Sequence, residues 1–194
     1  MKRVRRGAMV VALLGCGVLL AQTLAVARHV AVRDPNDNRG RLDIRIVRVS
    51  GRASAPRWKV STFKGWTVKQ IWDSGWFVVN LDTYGDGRAD YQALIGSNGR
   101  RLTGRLIHDR RGRGDRVVRR IPASHPNRRS AAFSVGLGNL RRRESGVYTW
   151  FAQTLFNSRR CRSVCIDRAP QRGRVTEPRP PDPTPTPTLP TPTP

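Results

Sequence analysis

Between residues 41 and 156 the chain alternates apolar and polar side chains in short runs, broken by clusters of Gly, Pro, Asn, Asp and Ser. A period of two puts neighbouring side chains on opposite faces of an extended backbone, so these runs predict β-strands. Eight runs stand out, at residues 42–49, 58–63, 76–81, 89–95, 101–108, 116–121, 130–137 and 147–155. In 101–108, Leu102, Gly104 and Leu106 share one face while Thr103, Arg105 and Ile107 share the other, as in an antiparallel sheet packed on one side and wet on the other. Eight strands at this spacing predict an all-β protein, an antiparallel β-sandwich of jelly-roll or immunoglobulin-like kind, over residues 34–170. Residues 67–72 read as one helical turn between strands, and no repeat of 20 to 50 residues is visible.

The two ends read differently. Lys2, Arg3, Arg5 and Arg6 precede an apolar run from Ala8 to Ala27 that closes on Ala25-Val26-Ala27, the small-x-small pattern of a signal-peptidase site. Residues 1–27 are therefore expected to be a secretory signal helix, with a retained membrane anchor or a lipidated Cys16 as the alternatives. Residues 176–194 end in PRPPDPTPTPTLPTPTP, which cannot bury a core; an extended, disordered Pro/Thr tail is expected, of a type that often carries O-linked sugars in exported proteins. No hydrophobic stop segment follows, so no stable membrane span is expected once the signal is removed.

Loss of residues 1–27 leaves Cys161 and Cys165, an even count that predicts a local disulfide in an oxidising compartment. A zinc site would need two more ligands, and His29, His108 and His125 are not at ligand spacing to the pair.

Charge changes the picture more than composition does. Of 194 residues, 37 are Lys or Arg and 13 are Asp or Glu, a formal net charge of +24, of which +20 remains after residues 1–27 are removed. Arg dominates, and its planar guanidinium grips carboxylate or phosphate with two parallel bonds, so an anionic cell-envelope polymer or a polysaccharide is the expected partner. A GC-rich codon bias would also raise Arg content. Nucleic acid is not an expected partner of an exported chain.

Catalytic patterns are missing: there is no GxSxG, HExxH or phosphate-binding glycine loop, and Glu144 and Glu177 are the only Glu residues. Asp82 and Asp90 could meet across a hairpin mouth, yet no apolar pocket is evident to raise the pKa of one of them. The expectation is a non-catalytic binding module, secreted or loosely held at the envelope; a structural wall protein and a hydrolase of unrecognised type are the alternatives. Trp58, Trp66, Trp72 and Trp76 fall close together, with Trp150 apart. Core packing is the default for such rings, and Trp66, following Gly65 in a loop, is the residue expected to be exposed as a sugar platform.

The most specific local pattern is LDTYGDGRADY, residues 81–91. Asp82, Asp86 and Asp90 at a spacing of four around a Gly turn have the residue types of an oxygen-rich calcium loop, because a hard cation wants several carboxylates folded back on one point. Tyr84 and Ala93 stand where two further ligands are expected, and the flanks read as strand. The favoured reading is a β-hairpin whose Asp side chains bond turn amides or nearby Arg, with no cofactor.

The LDTYGDGRADY hairpin and the later YTWFAQTLF strand together resemble exported β-sandwich domains of actinobacteria, and the whole of 34–170 looks loosely like the family 9 carbohydrate-binding module and the DOMON-like superfamily. In family 9 modules aromatic residues clamp a sugar and calcium ions brace loops. The resemblance thus implies a sugar ligand, but it places no ligand-binding position on this chain.

Overall fold

A computed structural model describes residues 30–177, apart from 53, 111, 139, 141–146, 160 and 162. The expected signal at 1–27 and the expected tail from 178 onward lie outside the described residues. Twelve strands run in chain order: β1 Val30–Arg33, β2 Ile44–Arg52, β3 Ala55–Thr62, β4 Gly75–Asp82, β5 Tyr91–Ser97, β6 Leu102–His108, β7 Arg116–Ile121, β8 Ala123–Asn127, β9 Ser130–Ser134, β10 Tyr148–Asn157, β11 Val164–Ala169 and β12 Val175–Glu177. They form two antiparallel sheets, one of five strands ordered β1-β2-β3-β9-β8 and one of seven ordered β11-β10-β4-β5-β6-β7, with β12 also pairing β10. The arrangement is the expected all-β, antiparallel sandwich.

Each of the eight expected runs has its strand. The four that alternation did not reveal, β1, β8, β11 and β12, all lie at sheet edges. An edge strand buries few side chains, so it leaves little alternation to read, and it can tolerate Pro126 in β8 because half its amides need no partner. β12 carries regular pairing two residues into the segment expected as tail. Residues 67–75 make a short turn, with the Ile71 amide bonded to the Thr67 carbonyl at 3.3 Å and the Gly75 amide to the Ile71 carbonyl at 2.9 Å.

The core lies between the sheets. β4, in the middle of the larger sheet, is buried nearly throughout, matching an apolar run interrupted only by Asn80 before Asp82 ends it. Trp58 of the smaller sheet packs flat on Phe133, with centroids 6.2 Å apart, and edge-on against Trp150 of the larger sheet at 6.5 Å. These large rings cross the interlayer space and join the two inner faces. Space is tight elsewhere too: a Cβ on Gly104 would come within 2.6 Å of Ile121 Cγ1 and 2.7 Å of its carbonyl oxygen.

Candidate functional site: a cationic sheet face and a carboxylate cluster

The hairpin aspartates sit at the connection between β4 and β5. Asp82 accepts from the amides of Gly85 at 2.6 Å and Gly87 at 2.9 Å, and from Thr149 Oγ1 at 3.5 Å. Asp90 Oδ2 accepts from the Thr83 amide at 2.7 Å, the Thr83 hydroxyl at 3.1 Å and the Tyr84 amide at 2.9 Å. Asp86 accepts from the Arg88 amide at 3.0 Å. Gly85 and Gly87 take φ of +71° and +81°, the left-handed values that let the chain fold back onto these carboxylates. The three side chains are thus engaged in shaping the turn.

Trp66 is not on the surface. It is 2% exposed, tilted against Phe77 with centroids 5.1 Å apart and stacked on His125 at 3.9 Å. The loop that carries it is drawn in by the bond from its own amide to the Arg128 carbonyl at 2.8 Å, so a position that looks open in sequence is part of the core. Trp72, at 54%, is the exposed indole. Cys161, in the connection between β10 and β11, is disulfide-bonded to Cys165 of β11, with Cα atoms 5.5 Å apart. Gly40 lies against that bridge: a Cβ there would come within 2.9 Å of Cys165 Cβ.

On the outer face of the smaller sheet a groove of about 550 Å³ is lined by Arg33, Arg45, Arg48, Lys59, Arg128 and Arg129, with Ile46 and the Ser61–Ser130 pair among its other walls and no acidic side chain. Register and a bulge put them there. Arg48 of β2 is directly opposite Lys59 of β3. Strict alternation from the buried Val47 would turn Arg45 inward, but the register shift between Ile44 and Ile46 restores Ile44 to the core and leaves Arg45 exposed beside Arg48. Arg128 and Arg129 come from the β8–β9 turn and Arg33 from the end of β1. A smaller hollow of about 420 Å³ on the other sheet includes Arg110, Arg113 and Arg116 beside His108, which stacks on Tyr91 at 4.6 Å.

A second constellation has the opposite sign. Asp34, Asp37 and Asp43, in the loop between β1 and β2, meet Asp167 of β11, and one carboxylate oxygen from each lies within 4.8 Å of the others. Asp43 is 0% and Asp34 6% exposed; no donor reaches either oxygen of Asp34, while Asp43 feels the Asn38 amide and the Asp167 carboxyl without a well-formed hydrogen bond to either. Asp167 is tied down, accepting from the Ile44 amide at 2.5 Å and the Arg168 amide at 2.8 Å, while exposed Asp37 accepts from the Gln171 side chain. Burial, then the neighbouring carboxylates of Asp167, Asp37 and Asp43, push Asp34 up to about 7. Burial, then Asp167 and Asp37, push Asp43 up to about 6, against the opposing pull of Lys64 and of the Asn38 amide. Burial also raises Asp167, against its bonds to the amides of Ile44 and Arg168.

Asp82, Asp86 and Asp90, the residue types of a calcium loop, each bond turn donors; among the described residues the carboxylates that lie within reach of one shared ion are Asp34, Asp37, Asp43 and Asp167. The visible signal was the string DPNDNRGRLD, residues 34–43, with three Asp in ten positions; its fourth member, Asp167, is brought in only by sheet topology. No protein-family model, no curated protein and no solved structure matches the chain.

Proposed function

We propose that the protein is an exported, non-catalytic binding module whose ligand is an anionic cell-envelope polymer carrying repeated phosphate or carboxylate groups. The observation that carries this reading is the opposition of Arg48 and Lys59 across β2 and β3, at the centre of a groove with six cations and no acid. Like charges placed directly opposite on one sheet face destabilise it. A row of anionic groups lying along the groove would relieve that repulsion, and the guanidinium forks of Arg33, Arg45, Arg48, Arg128 and Arg129 suit bidentate contacts to phosphate or carboxylate. The export signal read at residues 1–27 supports an envelope ligand over an intracellular one. An array of anionic and neutral glycans and wall polymers, probed with the mature protein, tests the reading: binding confined to the anionic members supports it, and binding to neutral members alone refutes it.

Exposed Trp72 favours a second reading, a neutral sugar stacked on its ring, consistent with the resemblance to family 9 modules. Under that reading Trp72→Ala abolishes array binding and charge reversal in the groove leaves it intact.

A further inference from the structure

We propose that Asp34, Asp37, Asp43 and Asp167 form a calcium site that fastens the loop between β1 and β2 to β11. The inference is independent of the polymer reading, since it concerns the opposite charge at a different place. Carboxylates cluster on many surfaces without an ion, but here two of the four are more than nine-tenths buried, and Asp34 has both oxygens unbonded. A buried polar group without a partner is costly, and a buried anion among anions more so, so such an arrangement calls for a cation at its centre. Lys64 does not supply it, because its ammonium donates to the carbonyls of Arg39 and Gly40, both at 3.2 Å.

The donor set indicates which cation: magnesium gives up its waters reluctantly and is seldom held by an all-protein cage, whereas calcium takes several carboxylates at once. Oxygens facing each other across calcium stand about 4.6 to 5.2 Å apart, and across magnesium about 4.0 to 4.2 Å. The four oxygens here all lie within 4.8 Å of one another, close enough for one such ion to touch them together. Four hard carboxylate donors also suit calcium better than a softer metal, and exposed Asp37 leaves one side open for entry and for water ligands. The surroundings are already braced, with the Asn38 side chain donating to the Ile166 carbonyl at 2.7 Å and accepting from the Gly40 amide at 2.8 Å, and Gly40 held against Cys165. An ion would complete a junction that bonds and the disulfide only partly make.

The test uses the mature chain stripped with chelator, titrated calorimetrically with calcium chloride alone and melted in chelator, in calcium and in magnesium. One calcium per chain is expected to bind, and at a hundredfold excess over Kd the unfolding constant falls about 100-fold, seen as a rise of several degrees in Tm. Asp34→Asn and Asp43→Asn lose that rise, yet melt in chelator no lower than wild type, because each removes a buried charge. Asp37→Asn, at an exposed position that does not endanger folding, weakens calcium binding at least about tenfold. Asp86→Ala keeps the full response. Absence of calcium heat and of a Tm shift, an equal response to magnesium, or a response that survives in Asp37→Asn and vanishes in Asp86→Ala would overturn the proposal.

Discussion

Thr154, in the middle of β10, donates a 2.6 Å hydrogen bond from its hydroxyl to the carbonyl of Leu42, two residues before β2 begins, and both are about 1% exposed. The bond crosses between the sheets, and the β11 carboxylate of Asp167 repeats the link on the Ile44 amide. Together they fix where the smaller sheet begins relative to the larger one. Thr154→Val keeps the shape of the side chain and leaves the Leu42 carbonyl buried without its donor, so a loss of about 1 to 3 kcal/mol is expected in urea unfolding. A variant within a few tenths of wild type would show that water or relaxation satisfies that carbonyl.

The LDTYGDGRADY turn gives a prediction in which neighbouring aspartates differ. Asp90 accepts three bonds in a buried setting, whereas Asp86 is exposed and accepts from the Arg88 amide across the turn. Asp90→Ala strands three donors and is expected to lose about 3 kcal/mol or more, on the scale of bonds to charged groups; Asp86→Ala is expected to lose well under 1 kcal/mol. Similar losses from both would mean that the turn is not held as described.

Gly104 is confined by Ile121 on the neighbouring strand, with both side-chain and backbone atoms closer than 3.0 Å to the place a Cβ would occupy. The backbone atom cannot turn away, so Gly104→Ala is expected to destabilise by about 1 to 3 kcal/mol through overpacking. A melt of the purified variant checks it, and an unchanged Tm would mean that β6 and β7 separate easily.

His125 supplies a pH dependence. It stacks on Trp66 with Nε2 buried and unbonded, and burial lowers its pKa from the usual 6.5. The unfolded chain therefore takes the proton first on acidification, so the stabilisation is whole above about pH 6.5 and is lost as pH falls below it towards the folded value. His125→Phe keeps the stack and removes the titration. The Tm of wild type should drop relative to this variant between pH 7 and pH 5; parallel curves would contradict a buried neutral imidazole.

What the sequence makes legible follows burial. Strands packed between neighbours could be read directly, β10 by its alternation and β4 by its mostly apolar run, and the turn chemistry of Gly85 and Gly87 was legible because positive φ leaves few residue choices. The edge strands β1, β8, β11 and β12 were not legible, although the edge strand β7 was, and neither was the depth of Trp66, which depends on a backbone bond to Arg128 far along the chain. Net charge announced a cationic protein, but the groove exists because a bulge at Arg45 and the Arg48–Lys59 register gather those charges on one face. The carboxylate cluster was hidden for the same reason: three of its members are local and the fourth arrives through topology.

The most direct measurement is the affinity of the mature protein for a poly(glycerol phosphate) at low and at high salt, with Arg48→Glu/Lys59→Glu beside Arg113→Glu/Arg116→Glu as a charge-matched control on the other sheet. Because exposed charges are screened beyond about 8 Å at physiological ionic strength, wild-type binding should weaken steeply as salt rises. The Arg48/Lys59 reversal should weaken low-salt binding by tenfold or more, about 1.4 kcal/mol or above, and the control should lose much less. Equal losses from the two double variants would assign binding to net charge alone, and full affinity in the Arg48→Glu/Lys59→Glu protein would contradict the groove as the binding site.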